Sequence, residues 1–263
     1  MSVKILSVNP DLGVIKVVKI LLPPPRFTEP QFYVLDKKTK LFRIFRPEYN
    51  PTALTFRSWG PLFRFDHHRG NPPTPNYDIH KCEPCDDTER RICYVALSLS
   101  SCLVEVFGDE CFGDKHNDYA QVTDHNLAIL TLKSNLKLLD VRGSGAMQAG
   151  ANDATLAKTE QRGISQAWSR YFYEQQAIYP EIQGIIYGNA HNNEDAIAFY
   201  ERAKNFLTCQ IEDVWMLSDP KLRRYILQAT KNNNLRLAFP DWQEHGYIMN
   251  SQMVTPSYAN ADR

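Results

Sequence analysis

A carboxylate interrupts an apolar stretch of the chain. In the segment CYVALSLSSCLVEVFGD at residues 93–109, Glu105 lies between Val104 and Val106. Burying a carboxylate in such surroundings is costly unless it is paired or hydrogen-bonded. The plain alternative is a solvent-facing position on a short amphipathic helix, because such helices carry one polar face. A chemical role for Glu105 therefore requires partner residues elsewhere in the sequence.

Two arginines upstream lie in similarly apolar or aromatic settings, Arg43 in LFRIF and Arg64 in LFRFDHHRG. A buried guanidinium must find a carboxylate, a phosphate or a carbonyl. An acid and two arginines that line one cavity could bind a phosphorylated sugar, with the arginines on a pyrophosphate and the acid on ribose hydroxyls. Simpler interpretations are an edge-strand position for Arg43 and an ion pair between Arg64 and Asp66.

Two further motifs are weak indicators of a metal or nucleotide site. Cys82 and Cys85 form a C-x-x-C pair, but a structural zinc site needs a second pair of nitrogen or sulfur ligands at similar spacing. We interpret them as thiols in a polar loop and expect no metal. The Gly-rich segment RGSGAMQAG at 142–150 lacks the spacing of a dinucleotide-binding fingerprint. A Rossmann oxidoreductase is therefore disfavoured.

The elements that must position these residues are a mixture of strands and helices. A short helix is expected to begin at Ser100 or Ser101 and to carry Leu103 and Phe107. An irregular mixture without a βαβ rhythm favours an α+β fold. Strands are predicted at 40–47, 91–98, 182–190 and in NLAILTL and LKLLDV, and helices at 153–176 and 193–207 and as a pair after residue 213.

The composition narrows the classes of partner. Lys plus Arg is 30 and Asp plus Glu is 30, so the chain lacks the basic surplus with which nucleic-acid binders neutralise phosphates. No stretch approaches the roughly 18 apolar residues of a membrane-spanning helix. The 6 scattered cysteines suit a reducing compartment better than a disulfide framework. We therefore predict a cytoplasmic protein with no nucleic-acid and no membrane partner.

Four segments, in order, resemble the RES-domain family, which takes its name from an Arg, a Glu and a Ser. They are LFRIFRPEY, GPLFRFDHHRG, CYVALSLSSCLVEVFGD and QGIIYGNAHNNEDAIAFYERA, and the likeness runs from about Leu41 to Ala203. The resemblance implies a compact α+β fold related to the ADP-ribosyltransferases, with mixed and antiparallel sheets flanked by helices. It also suggests an N-terminal extension with a proline-rich connector (1–35), a RES domain (36–207) and a C-terminal helical extension with a polar tail (208–263).

The resemblance assigns roles to particular residues. Glu105 becomes the catalytic acid. Arg43 is placed in both catalysis and NAD binding. Arg64 and Tyr94 become NAD-binding residues.

Two further positions are matched through local sequence. GISQAWSRYF makes Ser165 the candidate for the family serine, with Thr159 as the alternative. Where many members have a serine after the strand GIIY, this chain has Asn189, which can still donate and accept hydrogen bonds. His67 and His68 could orient a phosphate or an acceptor, or be surface residues of a turn.

Characterised members of the family are bacterial toxins of toxin–antitoxin pairs that consume NAD. The resemblance thus implies an enzyme that cleaves the nicotinamide–ribose bond, as a glycohydrolase or phosphorylase, with NAD as a consumed substrate and no retained cofactor. The alternatives are an ADP-ribosyltransferase that modifies a protein and a non-catalytic binding or assembly module. An antitoxin or immunity protein and a second copy of the chain are possible partners.

Overall fold

A mostly antiparallel sheet organises the computed structural model, which describes residues 20–71, 82–112 and 120–238. The strands are β1 (Phe32–Leu35), β2 (Leu41–Phe45), β3 (Trp59–Gly60), β4 (Cys85–Asp86), β5 (Ile92–Ala96), β6 (Ala120–Gln121), β7 (Asn126–Leu132), β8 (Leu136–Asp140), β9 (Gly184–Gly188), β10 (Asp195–Tyr200), β11 (Leu207–Thr208), β12 (Val214–Met216) and β13 (Leu237–Ala238).

Four α-helices occur in the same described ranges: α1 (Leu99–Phe112), α2 (Gly145–Gln148), α3 (Arg162–Glu174) and α4 (Arg223–Asn233). Short 3-10 helices cover Ala154–Ala157, Glu201–Phe206, Ile211–Asp213 and Pro220–Leu222. The predicted strand segments around β2, β5, β7, β8 and β9 are confirmed, as is the helix after Ser100. The helix expected over 153–176 is present as a 3-10 turn followed by α3.

The strand order within the described residues is β1-β8-β9-β10-β5-β2-β7-β11, and β12 also pairs with β7. Neighbouring strands are antiparallel except β8 and β9, which are parallel. Two small ladders, β3 with β4 and β6 with β13, are separate from this sheet. Helices packed on a mixed, mostly antiparallel sheet confirm the predicted α+β class.

The two faces of the sheet form different cores. Because side chains alternate along a strand, Leu41 and Phe45 of β2 pack with Val95 on one face, and Ile44 packs with Leu103 of α1 on the other. We call these the closed face and the helix face. Further along the helix face, α3 packs its apolar stripe against the strands, burying Trp168, Phe172, Ile92 and Ala198 in one cluster.

The predicted helix over 193–207 is wrong. Residues 195–200 form strand β10, which is hydrogen-bonded to β5 and β9, and a 3-10 turn follows. Every residue from Ala196 to Tyr200 is buried. A strand with both faces covered appears in sequence as a continuous apolar run, which periodicity alone does not separate from a buried helix. The helix pair expected after residue 213 is likewise replaced by β12, a 3-10 turn and α4.

Both flanking segments contribute to the core. Within the predicted N-terminal extension, β1 pairs with β8. Within the predicted C-terminal extension, β12 pairs with β7, and Ile226 of α4 packs with Leu103 of α1. The proposed division into three segments stays a prediction. In the described part of the chain, none of the helices has the length and apolar character needed to cross a bilayer.

Candidate functional site

Glu105 lies on α1, at the edge of the helix face. The adjacent Val104 is buried, whereas Glu105 is exposed. Three charged groups interact electrostatically with its carboxylate: the guanidinium groups of Arg64 and Arg162, and the carboxylate of Asp109 one helical turn further along α1. We call these four residues the acid–arginine cluster. Asp109 also accepts a hydrogen bond from Arg162 at 2.9 Å.

The surroundings of Glu105 favour its protonated form. Desolvation by neighbouring protein atoms raises the pKa of Glu105 to about 7, and the charge of Asp109 adds to the rise. Arg64 and Arg162 act in the opposite direction. A side chain that is both exposed and desolvated lies in a depression, where water reaches it from one side and moderates the desolvation. Near neutral pH, Glu105 is consequently present both as the acid and as the carboxylate.

A buried aspartate fixes the loop that carries Arg64. Asp66 is fully buried and accepts two hydrogen bonds from Arg57, at 2.8 and 2.6 Å, and one from Phe63 N–H at 2.9 Å. The Tyr94 hydroxyl donates to Asp66 at 2.8 Å. The expected alternative, an ion pair between Arg64 and Asp66, is not observed, because Arg57 occupies that position. Arg64 interacts electrostatically with Glu105 instead.

Tyr94 of β5 contacts this loop through its hydroxyl. Its hydroxyl also accepts a hydrogen bond from Phe65 N–H at 3.1 Å, so it binds the two residues that follow Arg64. Tyr187 of β9 lies beside it, buried against the ring of Phe65 at 4.8 Å between ring centroids. Burial raises the pKa of Tyr187 well above its usual value, and the nearby Glu105 carboxylate adds to that shift. Tyr187 therefore forms the floor between the loop and α1.

Helix α3 closes the other side of the loop. Gln166 and Ser169 donate hydrogen bonds to the backbone carbonyls of Phe63 and Phe65, at 3.1 and 2.6 Å. Arg64 donates to the carbonyl of Thr159, just before α3. Side chains of α3 and the backbone that precedes it are thus joined to the Arg64 loop by hydrogen bonds.

The two serine candidates make local contacts. Ser165 is fully buried, and its hydroxyl donates to the Arg162 carbonyl at 3.0 Å within the same helix. The Thr159 hydroxyl accepts from Gln161 N–H at 3.2 Å. The hydroxyl of Ser165 is therefore satisfied within α3, by the backbone of Arg162. Its assignment as the family serine stays a prediction.

Asn189 shapes the turn after β9. Its side-chain oxygen accepts from the backbone N–H groups of His191 and Asn192, at 3.0 and 2.9 Å, and its amide donates to Ser101 of α1 at 3.1 Å. These bonds tie the turn to α1. A direct role for Asn189 in NAD binding stays a prediction.

The same turn places an imidazole against α1. The ring of His191 lies over Gly108, where a Cβ atom would come within 2.6 Å of it, and its Nε2 is 3.2 Å from Asp109. Glycine at this position therefore makes room for the ring. A cavity of about 480 Å³ borders this contact, lined by Val104, Ala190, His191, Asn192, Asn233 and Asn234.

Arg43 does not join the cluster, which corrects the expectation that it lines the site with Glu105. It is buried on the closed face, where it donates to the Ala53 carbonyl at 2.6 Å and to Asn50 at 3.1 Å. Its neighbours along β2, Phe42 and Ile44, point to the helix face instead. Strand alternation and the pairing of β2 with β5 and β7 fix this orientation.

The paired histidines are buried rather than displayed on a turn. His67 contacts Glu201 at 3.0 Å and packs on Tyr173 and Tyr200, and His68 contacts the Arg57 carbonyl at 3.1 Å. Both histidines have a lowered pKa, mainly because of burial. Within the described ranges, no group of three or more His, Cys, Asp and Glu side chains could hold a metal ion.

Sequence reasoning missed three residues at this site, Tyr187, Arg162 and Asp109, and gave Asp66 a different partner. Tyr187 is recognisable only once the loop and β9 are seen to meet. Arg162 and Asp109 are exposed in part and lie in ordinary helical sequence. The one available signal was helical spacing, since Asp109 lies four residues after Glu105 and thus on the same helix face.

Comparisons with known proteins bear on the family. A search of the curated proteins found no match. A chain from the crystal structure of the M. tuberculosis MbcT–MbcA toxin–antitoxin complex aligns with 73% of this chain and 90% of its own length, with 14% sequence identity and a TM-score of 0.42. The profile of the RES domain matches residues 40–220. That match spans more than half of the 263 residues, and the chain therefore belongs to the RES-domain family.

Proposed function

We propose that this RES-domain protein cleaves the nicotinamide–ribose bond of NAD. The observation that carries the proposal is the acid–arginine cluster, in which an exposed glutamate on α1 interacts electrostatically with Arg64 and Arg162. Family membership supplies NAD as the substrate. The setting that we infer is a toxin controlled by an antitoxin or immunity protein, with NAD consumed and no cofactor retained.

The charge balance of the reaction explains why an acid is needed. Nicotinamide leaves as a neutral molecule from a cationic ring, so the leaving group requires no proton. Positive charge develops on the ribose as the bond breaks. A preorganised carboxylate stabilises that charge, an effect worth about 3 kcal/mol when a comparable group is deleted. Glu105 has this role when ionised, and its protonated form does not.

The arginines bind the other part of the substrate. A planar guanidinium matches phosphate oxygens in a bidentate manner. In our proposal, Arg64 and Arg162 hold the pyrophosphate, and Arg162 takes the role first expected of Arg43. Tyr94 and Asp66 act indirectly, by fixing the loop that presents Arg64.

The acceptor distinguishes the variants of this reaction. Water yields free ADP-ribose, phosphate yields ADP-ribose phosphate, and a protein side chain yields a modified protein. The imidazole of His191 beside Asp109 is close enough to the cluster to assist an acceptor, but it does not select among them. We propose hydrolysis or phosphorolysis, with ADP-ribosylation of a protein as the second candidate implied by the family.

The test is to incubate the purified chain with NAD, with and without phosphate, and to identify the products by NMR and mass spectrometry. Free nicotinamide with ADP-ribose or its phosphate is the expected result. Nicotinamide accompanied by ADP-ribose attached to protein would indicate the transferase. Unchanged NAD under all conditions would contradict the proposal and favour the non-catalytic binding module.

A further inference from the structure

Phe63 is a half-exposed aromatic residue in the loop that carries Arg64. Its exposed fraction is 48%, although its neighbour Phe65 is fully buried. An isolated exposed phenylalanine needs no explanation. Phe63 differs in two respects: the next residue, Arg64, belongs to the acid–arginine cluster, and both the N–H and the carbonyl of Phe63 are hydrogen-bonded.

The loop backbone gives Phe63 a fixed position. Its N–H donates to the buried Asp66 at 2.9 Å, and its carbonyl accepts from Asp66 N–H at 3.2 Å and from Gln166 of α3 at 3.1 Å. The ring is also held. It meets Tyr94 edge to face, with centroids 5.9 Å apart and planes at 83°. A ring that is fixed and still open to solvent is preorganised to receive a flat ligand.

Arg57 makes the ring selective. Its guanidinium lies 4.9 Å from the Phe63 ring centroid, and Asp66 anchors it by two hydrogen bonds. The guanidinium of Arg57 thus already makes a cation–π interaction with the electron-rich face of the Phe63 ring. The nicotinamide ring of NAD is itself cationic, so stacking it on the same ring would bring two positive charges together. A neutral purine meets no such repulsion and stacks favourably.

The position of Phe63 beside Arg64 agrees with this assignment. Phe63 directly precedes Arg64, which in the proposed function holds the pyrophosphate. Glu105, which interacts electrostatically with Arg64, is assigned to the nicotinamide riboside. The adenosine half, on the other side of the pyrophosphate, is therefore the part of the dinucleotide that we assign to Phe63.

We propose that Phe63 is the stacking surface for the adenine base of the dinucleotide and a determinant of substrate specificity. This inference rests on the proposed function for the identity of the whole ligand. It also makes a separate prediction, that adenine nucleotides without nicotinamide bind through Phe63.

The experiment is calorimetric titration of the full chain with AMP, and titration of a Glu105→Gln chain with NAD and nicotinamide mononucleotide so that neither is consumed. Phe63→Ala should weaken AMP and NAD binding about tenfold, the usual effect of removing one base-stacking aromatic, and leave nicotinamide mononucleotide unaffected. Phe63→Trp should restore binding. Leu62→Ala is the matched control, because it truncates the adjacent apolar side chain of the same loop and should change nothing.

Three results would overturn the inference: equal AMP affinity in wild type and Phe63→Ala, a selective loss of nicotinamide mononucleotide, or an equal loss of both. If Phe63→Ala does not fold, Phe63→Leu keeps apolar volume, removes the aromatic face and answers the same question. Failure of the proposed function is separate. If the chain binds AMP through Phe63 but releases no nicotinamide from NAD, the adenine site is supported and the proposed NAD cleavage is contradicted.

Discussion

An arginine lies on each side of the central sheet, Arg43 in strand β2 and Arg64 in the loop that packs over the helix face, and the two arginines have different surroundings. Arg43, on the closed face, is buried and donates to Ala53 and Asn50, so the fold itself satisfies its guanidinium. Arg64, on the helix face, is half-buried and interacts with the carboxylate of Glu105. Arg43 is buried among internal acceptors, which indicates a structural role. Arg64 also donates to one backbone carbonyl, that of Thr159, but it is partly exposed and interacts with an exposed acid, so it is available to a ligand.

The largest expected effect is on the acid of the helix face. Glu105→Gln keeps the size and hydrogen bonding of the side chain and removes its charge. Nicotinamide release should fall about 100-fold or more, while the Kd for NAD changes little. Thermal unfolding at pH 8 should be unaffected or shifted upward, because the variant no longer holds a desolvated charge. A large loss of NAD affinity with an unchanged rate of nicotinamide release would contradict the catalytic role of Glu105 and indicate a role in substrate binding.

The matched pair Arg64→Lys and Arg43→Lys tests the comparison directly. Lysine keeps the charge but lacks the planar fork. Arg64→Lys should raise KM about tenfold with little change in stability. Arg43→Lys should leave KM unchanged and lower the free energy of unfolding by about 1–3 kcal/mol, because buried acceptors lose a donor. Steady-state kinetics measure KM, and urea unfolding measures stability. A raised KM for Arg43→Lys and a loss of stability for Arg64→Lys would contradict the roles assigned to the two arginines.

Acid should destabilise the protein through its buried histidines. The pKa of His125 is lowered to about 4, mainly by burial, and those of His67 and His68 are also lowered from the usual 6.5. The unfolded chain therefore binds more protons between about pH 4 and 6.5, and stability falls as pH falls through that window. The raised pKa of Glu105 opposes this trend, so urea unfolding of Glu105→Gln should show a steeper fall. A flat profile in both proteins would contradict the burial of these histidines.

The smallest expected effect is a displacement of the Glu105 titration. Asp109 raises the pKa of Glu105, and Arg162 lowers it. Asp109→Asn should therefore move the acidic limb of the pH–rate profile to lower pH, and Arg162→Gln should move it to higher pH. Shifts in the same direction for both variants would indicate a rearranged loop rather than an electrostatic effect.

Sequence patterns predicted the elements of this fold better than their spatial relations. The alternation in LFRIF correctly grouped Leu41, Arg43 and Phe45 on one face of a strand. It did not reveal which face meets α1, because that depends on how β2 pairs with β5 and β7. The expectation for Arg43 failed for this reason.

The site illustrates the same limit. Glu105 stood out because an acid in an apolar run is costly to bury, and the structure places it on the helix expected there. Arg162 gave no comparable signal, since a charged residue in the first turn of a helix is ordinary. Its proximity to Glu105 arises from the packing of α3 against the Arg64 loop, which is a tertiary relation.

The most direct test of the central claim is the pH dependence of kcat/KM for nicotinamide release, which reports groups of the free enzyme, measured for the wild type and for Glu105→Gln. If the ionised carboxylate of Glu105 stabilises the developing charge, the wild-type kcat/KM rises with pH through an apparent pKa of about 7. Glu105→Gln should be slower by about 100-fold and should lack that limb. An identical limb in both proteins, or equal rates, would contradict the assignment of Glu105 as the catalytic acid.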